Sequence, residues 1–164
     1  MKKLKIEENE KFTLEELVDR LRNRKFEKVV ILTGAGMSVA AGIPDFRSPG
    51  SGLYSKMQDY KLPTPESVFD IRYFEKSPEA FTKLAKEFFM SGKFEPTLAH
   101  KFVKKIHDEK MLSALLTQNI DGLEIDAGIP EDMIIQAHGH ARKAHCIDCH
   151  KEVSIEAWKK CIEK

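Results

Sequence analysis

A chain of 164 residues, 41% of them hydrophobic, is long enough to bury one sizeable core. Twenty-seven basic residues against 26 acidic ones leave a formal charge of +1, which excludes a polyanion-binding role driven by net charge. No apolar run approaches the roughly 20 residues of a membrane span, and the charged first residues lack the apolar stretch of a signal peptide. An intracellular setting, cytoplasmic or nuclear and away from membranes, is expected.

Residues 1–27 read as a helical segment. Thr13-Leu-Glu-Glu16 has the form of a capping box, and Leu14, Leu17, Val18 and Leu21 follow at the spacing of one apolar helical stripe. Lys28 to Thr33 (KVVILT) is a short β-branched run ending at Gly34, which reads as a buried parallel strand. Leu112 to Thr117 (LSALLT) and Met133 to Ala137 (MIIQA) are two further strands. All three end at polar or glycine-rich segments, where an open α/β sheet binds its ligands. About eighty residues separate the first two strands, too many for a simple crossover, so a helical insertion at about 55–111 is expected. Ser77-Pro78 starts one helix there, with Phe81, Leu84, Ala85 and Phe88 on one side. Thr97 caps another, which carries Leu98, Phe102, Val103 and Ile106. The expected fold is α/β. Residues 28–141 form part of a Rossmann-like parallel sheet domain, and 142–164 an incomplete metal-binding module.

Gly34-Ala35-Gly36 after a strand lets backbone amides approach a pyrophosphate, with the next helix presenting its N-terminus. A strand-to-helix turn needs glycine anyway, so this short motif alone is weak. Position 39 is Val where the dehydrogenase fingerprint has Gly, and no acidic residue ends a second strand about 20 residues on. Hydride transfer is therefore disfavoured.

The longer string Gly34-Ala-Gly-Met-Ser-Val-Ala-Ala-Gly-Ile-Pro-Asp-Phe-Arg47 resembles the NAD-binding signature of the sirtuins, and Ser48 to Tyr54 resembles their mobile cofactor loop. Thr117-Gln-Asn-Ile-Asp121 and His138-Gly139 resemble two further signatures in the same order. Leu62-Pro-Thr-Pro65 and Phe69 to Phe74 are most similar to the eukaryotic nuclear and cytosolic deacetylase branch. The resemblance runs from about residue 12 to the end, and it covers only the N-terminal part of a sirtuin catalytic core. It implies an NAD-dependent protein-lysine deacetylase, which transfers the acetyl group to ADP-ribose with release of nicotinamide and acts on acetylated-lysine proteins or peptides.

The same resemblance assigns roles. His138 is the base that deprotonates a ribose hydroxyl, and histidine starts with a pKa suited to that. Asn119 is its catalytic companion. Gln118, Asn119, Ile120 and Asp121 line the nicotinamide and ribose pocket. Ala35 and Gly36 offer backbone to the diphosphate and Ser38 a hydroxyl. Val39 replaces a residue that is often hydroxylated. Asp45 completes the loop, Phe46 shields against the departing nicotinamide, Arg47 anchors loop and phosphates, and Tyr54 closes the cofactor loop. His140 is a decoy beside His138. Ala85-Lys-Glu-Phe88 offers no cation for an acyl carboxylate, so acetyl or a longer neutral acyl group is expected.

Cys146-Ile-Asp-Cys149 has knuckle spacing for tetrahedral zinc, and a structural site takes four ligands. The sirtuin module supplies a second such pair downstream, beyond the end of this sequence. Cys161 shares helical spacing with Ile155, Trp158 and Ile162, so it reads as a packed helix residue. The sirtuin sheet likewise continues past this point, which leaves KVVILT as an exposed apolar edge and the segment inactive by itself. Two rivals remain: a short non-catalytic sirtuin-like module that binds NAD or a protein, and a zinc-ribbon nucleic-acid binder. The latter is disfavoured by the absence of interleaved stacking aromatics around the knuckle.

Overall fold

The computed structural model describes residues 13–89 and 94–163, with only the backbone of Phe88 and Phe89. The first 12 residues, and the Phe88 side chain expected on the insertion helix, lie outside the described residues. Helix α1 spans Leu14–Arg22 and starts at the expected capping box, with the Thr13 amide donating to Glu16 Oε2 (2.9 Å) and the Glu16 amide to Thr13 Oγ1 (3.2 Å). Its apolar stripe is only partly used. Leu21 packs on the core, whereas Leu14 and Leu17 are exposed.

Strand β1 (Val29–Thr33) follows, then two 3-10 turns, Ala35–Met37 and Val39–Ala41. The expected helix after Gly36 is replaced by these turns. Gly42 adopts φ +93, a left-handed conformation that side-chain-bearing residues resist, and Pro44 two residues later cannot donate to a continuing helix. Short helices α2 (Leu53–Lys56) and α3 (Ile71–Lys76) lead to α4 (Glu79–Phe89), and Leu53, Met57, Val68, Ala80 and Leu84 close a small core between them.

Helix α5 (Leu98–Asp108) begins at Thr97 and lays Val103 and Ile106 on the sheet. Leu98 and Phe102, on its other side, stay exposed, so the four apolar residues serve two faces. Strand β2 (Leu112–Thr117), the four-residue helix α6 (Leu123–Asp126) and strand β3 (Ile134–Gln136) complete the parallel sheet, in the order β1-β2-β3. Leu115 is fully buried and sits beside Ile31 and Ile134 in register. Strands β4 (Ala144–His145) and β5 (Glu152–Val153) form a separate antiparallel hairpin before α7 (Ile155–Glu163). No described helix is long and apolar enough to cross a membrane.

One face of the sheet is covered by α5. The opposite face leaves Val30 62% and Leu32 67% exposed, and both belong to an edge strand. Such an edge templates association. Val30→Thr together with Leu32→Thr is expected to lower concentration-dependent light scattering, while changing stability by no more than about 1 kcal/mol.

Candidate active site

The carboxyl ends of β1 and β2 are tied together at Thr33 and Thr117, where the Gln118 amide donates to Thr33 O (3.1 Å). Asn119 follows, 8% exposed. Its Nδ2 donates to Gly34 O at 3.1 Å and to Ser38 Oγ at 3.2 Å, and its backbone amide donates to Thr117 Oγ1 at 3.0 Å. A carbonyl only accepts, so the Gly34 contact fixes which way the amide faces. With both amide hydrogens committed, what Asn119 offers a ligand is its Oδ1 acceptor. Ser38, expected to present a hydroxyl to a diphosphate, is 1% exposed and donates to Asp121 Oδ2 at 2.7 Å. Its hydrogen braces the loop. Asp121 Oδ1 also accepts the Leu123 amide (2.9 Å), so this carboxylate joins the glycine turn to the start of α6.

His138 lies just past β3, and its Nδ1 stands 3.0 Å from Gln118 O. A carbonyl oxygen can only accept, so Nδ1 carries the proton and Nε2 bears a lone pair. This is the tautomer a general base requires. The neighbouring His140 is held the other way, because its Nδ1 accepts the Arg142 amide (3.3 Å). The two histidines of HGH thus differ in tautomer. The Ala137 amide on Thr117 O (2.9 Å) and the Ala141 amide on Ile120 O (3.1 Å) keep this segment alongside 117–121.

The loop from Asp45 to Tyr54 folds on itself. Asp45 accepts the Ser48 hydroxyl (2.6 Å) and the Ser48 amide (3.0 Å), and the hydroxyl, then the amide, hold its carboxyl below the usual range. The Leu53 and Tyr54 amides reach back to Asp45 O (2.7 Å) and Phe46 O (3.1 Å). Gly52 is required for this closure, since a Cβ there would stand 2.6 Å from the Ser48 nitrogen. The Phe46 ring is 40% exposed, with Tyr54 at 5.7 Å and Phe69 at 5.8 Å between centroids, and the Arg47 guanidinium lies 6.0 Å from the Tyr54 ring. Beside the glycine turn, Leu32 to Met37, Ala99, Phe102 and Val103 line an open cleft of about 410 Å³.

Cys146 and Cys149 occupy the turn of the β4–β5 hairpin. The Cys149 amide, then the Asp148 amide and the Cys149 thiol, draw the Cys146 thiol below its usual range. The Cys146 amide donates to Lys151 O and the His150 amide to Cys146 O, both at 3.0 Å, which closes the turn as a knuckle and leaves the Cys149 and Asp148 amides on the Cys146 sulfur. This donor set suits half of a tetrahedral zinc site. Cys161 does lie on a helix, α7, but it is exposed, whereas Ile155, Trp158 and Ile162 of the same helix are half-buried.

The Sir2 family profile matches residues 34–164. The chain belongs to the Sir2 family. It is 48% identical over 152 residues to the protein of Dictyostelium discoideum named NAD-dependent deacetylase sir2A, covering 93% of this chain and 30% of that one. Against the NAD-dependent protein deacetylase hst2 of Schizosaccharomyces pombe it is 43% identical, covering 91% of this chain and 45% of the relative. Against the NAD-dependent protein deacetylase sirtuin-3 of Mus musculus it is 45% identical, covering 86% and 42% respectively. The chain therefore spans less than half the length of these Sir2 relatives. Within it, three buried residues of the site escaped the sequence reading: Thr97, His100 and Glu124. Thr97 reads in the sequence only as a helix cap, His100 as a polar position of that helix and Glu124 as part of a polar loop, and only packing reveals that they meet.

Proposed function

We propose that this chain is the nicotinamide-side part of an NAD-dependent protein-lysine deacetylase that moves the acetyl group of a lysine to ADP-ribose and releases nicotinamide. The observation that carries the reading is the His138 tautomer, fixed through Nδ1 on Gln118 O so that Nε2 is the basic atom. NAD supplies the ADP-ribose acceptor, with nicotinamide as its leaving group. Nε2 of His138 takes a proton from a ribose hydroxyl, Oδ1 of Asn119 accepts from and orients another, and Asp121 receives the amide hydrogens of the nicotinamide carboxamide. Ala35, Gly36 and Arg47 meet the phosphates, and Phe46 stands against the leaving nicotinamide. The substrates are acetylated-lysine proteins or peptides, and the setting is intracellular, consistent with three free cysteines.

Cys146 and Cys149 are two ligands of a structural zinc ion. Cobalt(II), used as a spectroscopic stand-in, is expected to give a thiolate charge-transfer band that Cys146→Ser removes and Cys161→Ser leaves in place. A band lost equally in both variants would sink this ligand assignment.

A second reading, a non-catalytic module that binds NAD or a protein, is favoured by the bare sheet face at Val30 and Leu32. Isothermal titration of the 164 residues with NAD, followed by assay with an acetyl-lysine peptide, separates the two. We expect weak binding and no turnover from this segment alone, and turnover once it is joined to the further length its relatives possess. Tight NAD binding that never leads to nicotinamide release in the joined protein would favour the module instead.

A further inference from the structure

Beneath the catalytic loop lies a polar group that the reaction above does not use. His100, on α5, is fully buried, and its Nε2 has no hydrogen-bond partner among the described residues. One ring nitrogen of His100 and a carboxylate oxygen from each of Asp121 and Glu124 lie within 4.8 Å of one another. Glu124 is itself 1% exposed. A buried donor or acceptor left unpaired is costly, so this arrangement needs an explanation.

The other ring nitrogen decides the chemistry. The Thr97 backbone amide donates to His100 Nδ1 at 3.1 Å. The Thr97 hydroxyl, 2.8 Å from the same nitrogen, can rotate its hydrogen towards Nδ1 or towards Met37 O (2.9 Å), whereas the backbone hydrogen cannot move. Nδ1 is therefore bare, and in the neutral ring Nε2 carries the proton. Burial favours that neutral ring, pushing the imidazole pKa down against the pull of Glu124 and Asp121. A protonated Nε2 cannot ligate a metal ion. It is a donor facing two acceptors across a gap too long for a direct bond, and one water molecule spans such a gap by accepting once and donating twice.

We propose that His100, Asp121 and Glu124 enclose a single ordered water, and that His100 and Glu124 are positioning residues for Asn119 and Asp121. The path is short. Glu124 Oε1 accepts the Thr117 hydroxyl at 2.6 Å, and Thr117 Oγ1 accepts the Asn119 amide at 3.0 Å. Asp121 closes the other branch through Ser38, which also receives Asn119 Nδ2. Thr97, through Met37 O, ties the same node to the glycine turn. A satisfied buried network of this kind holds one geometry, while a half-satisfied one does not.

The functional half of this inference rests on the deacetylase reading; the structural half does not. Nitrogen-15 NMR of the imidazoles in the 164-residue chain at pH 7 tests the structural half. His100 is expected to show a protonated Nε2, a bare Nδ1 and slow exchange of the Nε2 proton, all unmoved by added zinc(II) or manganese(II). A proton on Nδ1, or loss of the Nε2 proton on adding either metal, overturns the proposal in favour of a cation site. For the functional half, NAD affinity is compared in His100→Gln, which keeps a donor near the Nε2 position, and His100→Leu, which keeps only volume. We expect the Gln variant within about threefold of the parent and the Leu variant weaker by about tenfold or more. Equal losses in both, with the fold retained by circular dichroism, mean that packing rather than the donor matters, and the positioning role fails. Absence of NAD binding in a parent that joins these residues to the further length of the Sir2 relatives overturns the deacetylase reading, and the NMR result still decides the brace.

Discussion

Replacing His138 by alanine is expected to lower acyl-transfer turnover by about 10²- to 10⁴-fold, the usual contribution of a general base, in a protein that joins these residues to the further length of the Sir2 relatives. NAD affinity should change little, because the proposed base acts on a proton and the proposed pocket wall is built from 117–121 and the glycine turn. The fold should also survive, since the side chain is exposed and makes one bond to Gln118 O. His140→Ala is the control: its Nδ1 serves the Arg142 amide, so turnover should stay within about twofold. Steady-state kinetics with an acetyl-lysine peptide measures both. Equal losses for the two histidines, or normal turnover in His138→Ala, would remove His138 from the role of base.

Leu115→Ala is expected to destabilise the chain by about 2–5 kcal/mol, read from the urea midpoint at constant m-value. Leu115 is fully buried on the central strand, between Ile31 of β1 and Ile134 of β3 and under Val103 and Ile106 of α5. The cavity cannot collapse without moving a strand that is bonded on both sides. By contrast Leu32→Ala, on the uncovered face, should cost less than about 0.5 kcal/mol, although the two leucines occur in similar apolar strands. That difference measures which sheet face the chain covers for itself.

The three strands were legible because each is a run of β-branched and aliphatic residues closed by glycine or polar residues, and they appear within a residue of the expected bounds. The capping box at Thr13 and the cap at Thr97 were equally readable, because capping depends on residues near in the chain; that His100 closes a box at Thr97 was not. Burial was not. Leu14, Leu98 and Phe102 have the right spacing yet stay exposed, since periodicity marks a face without stating what covers it. The segment after Gly36 reads as a helix in the sequence but forms two 3-10 turns for a related reason: Gly42 and Pro44 break it once the turn places Gly42 at positive φ.

The sequence by itself determined the family, through three signatures matched in order, and supplied the residue types proposed for acid–base and ribose chemistry. Tertiary structure alone decided their states. Whether His138 or His140 presents a bare Nε2 depends on which backbone group meets each Nδ1, and those partners lie twenty residues apart in one case and two in the other. Whether Ser38 faces a phosphate or braces Asp121, and whether His100 and Glu124 are solvated or sealed under Asn119, likewise depends on contacts between β1, β2 and α5. Protonation and hydrogen-bond commitment are properties of neighbours in space, and the neighbours here meet only when the parallel sheet brings the ends of its strands together.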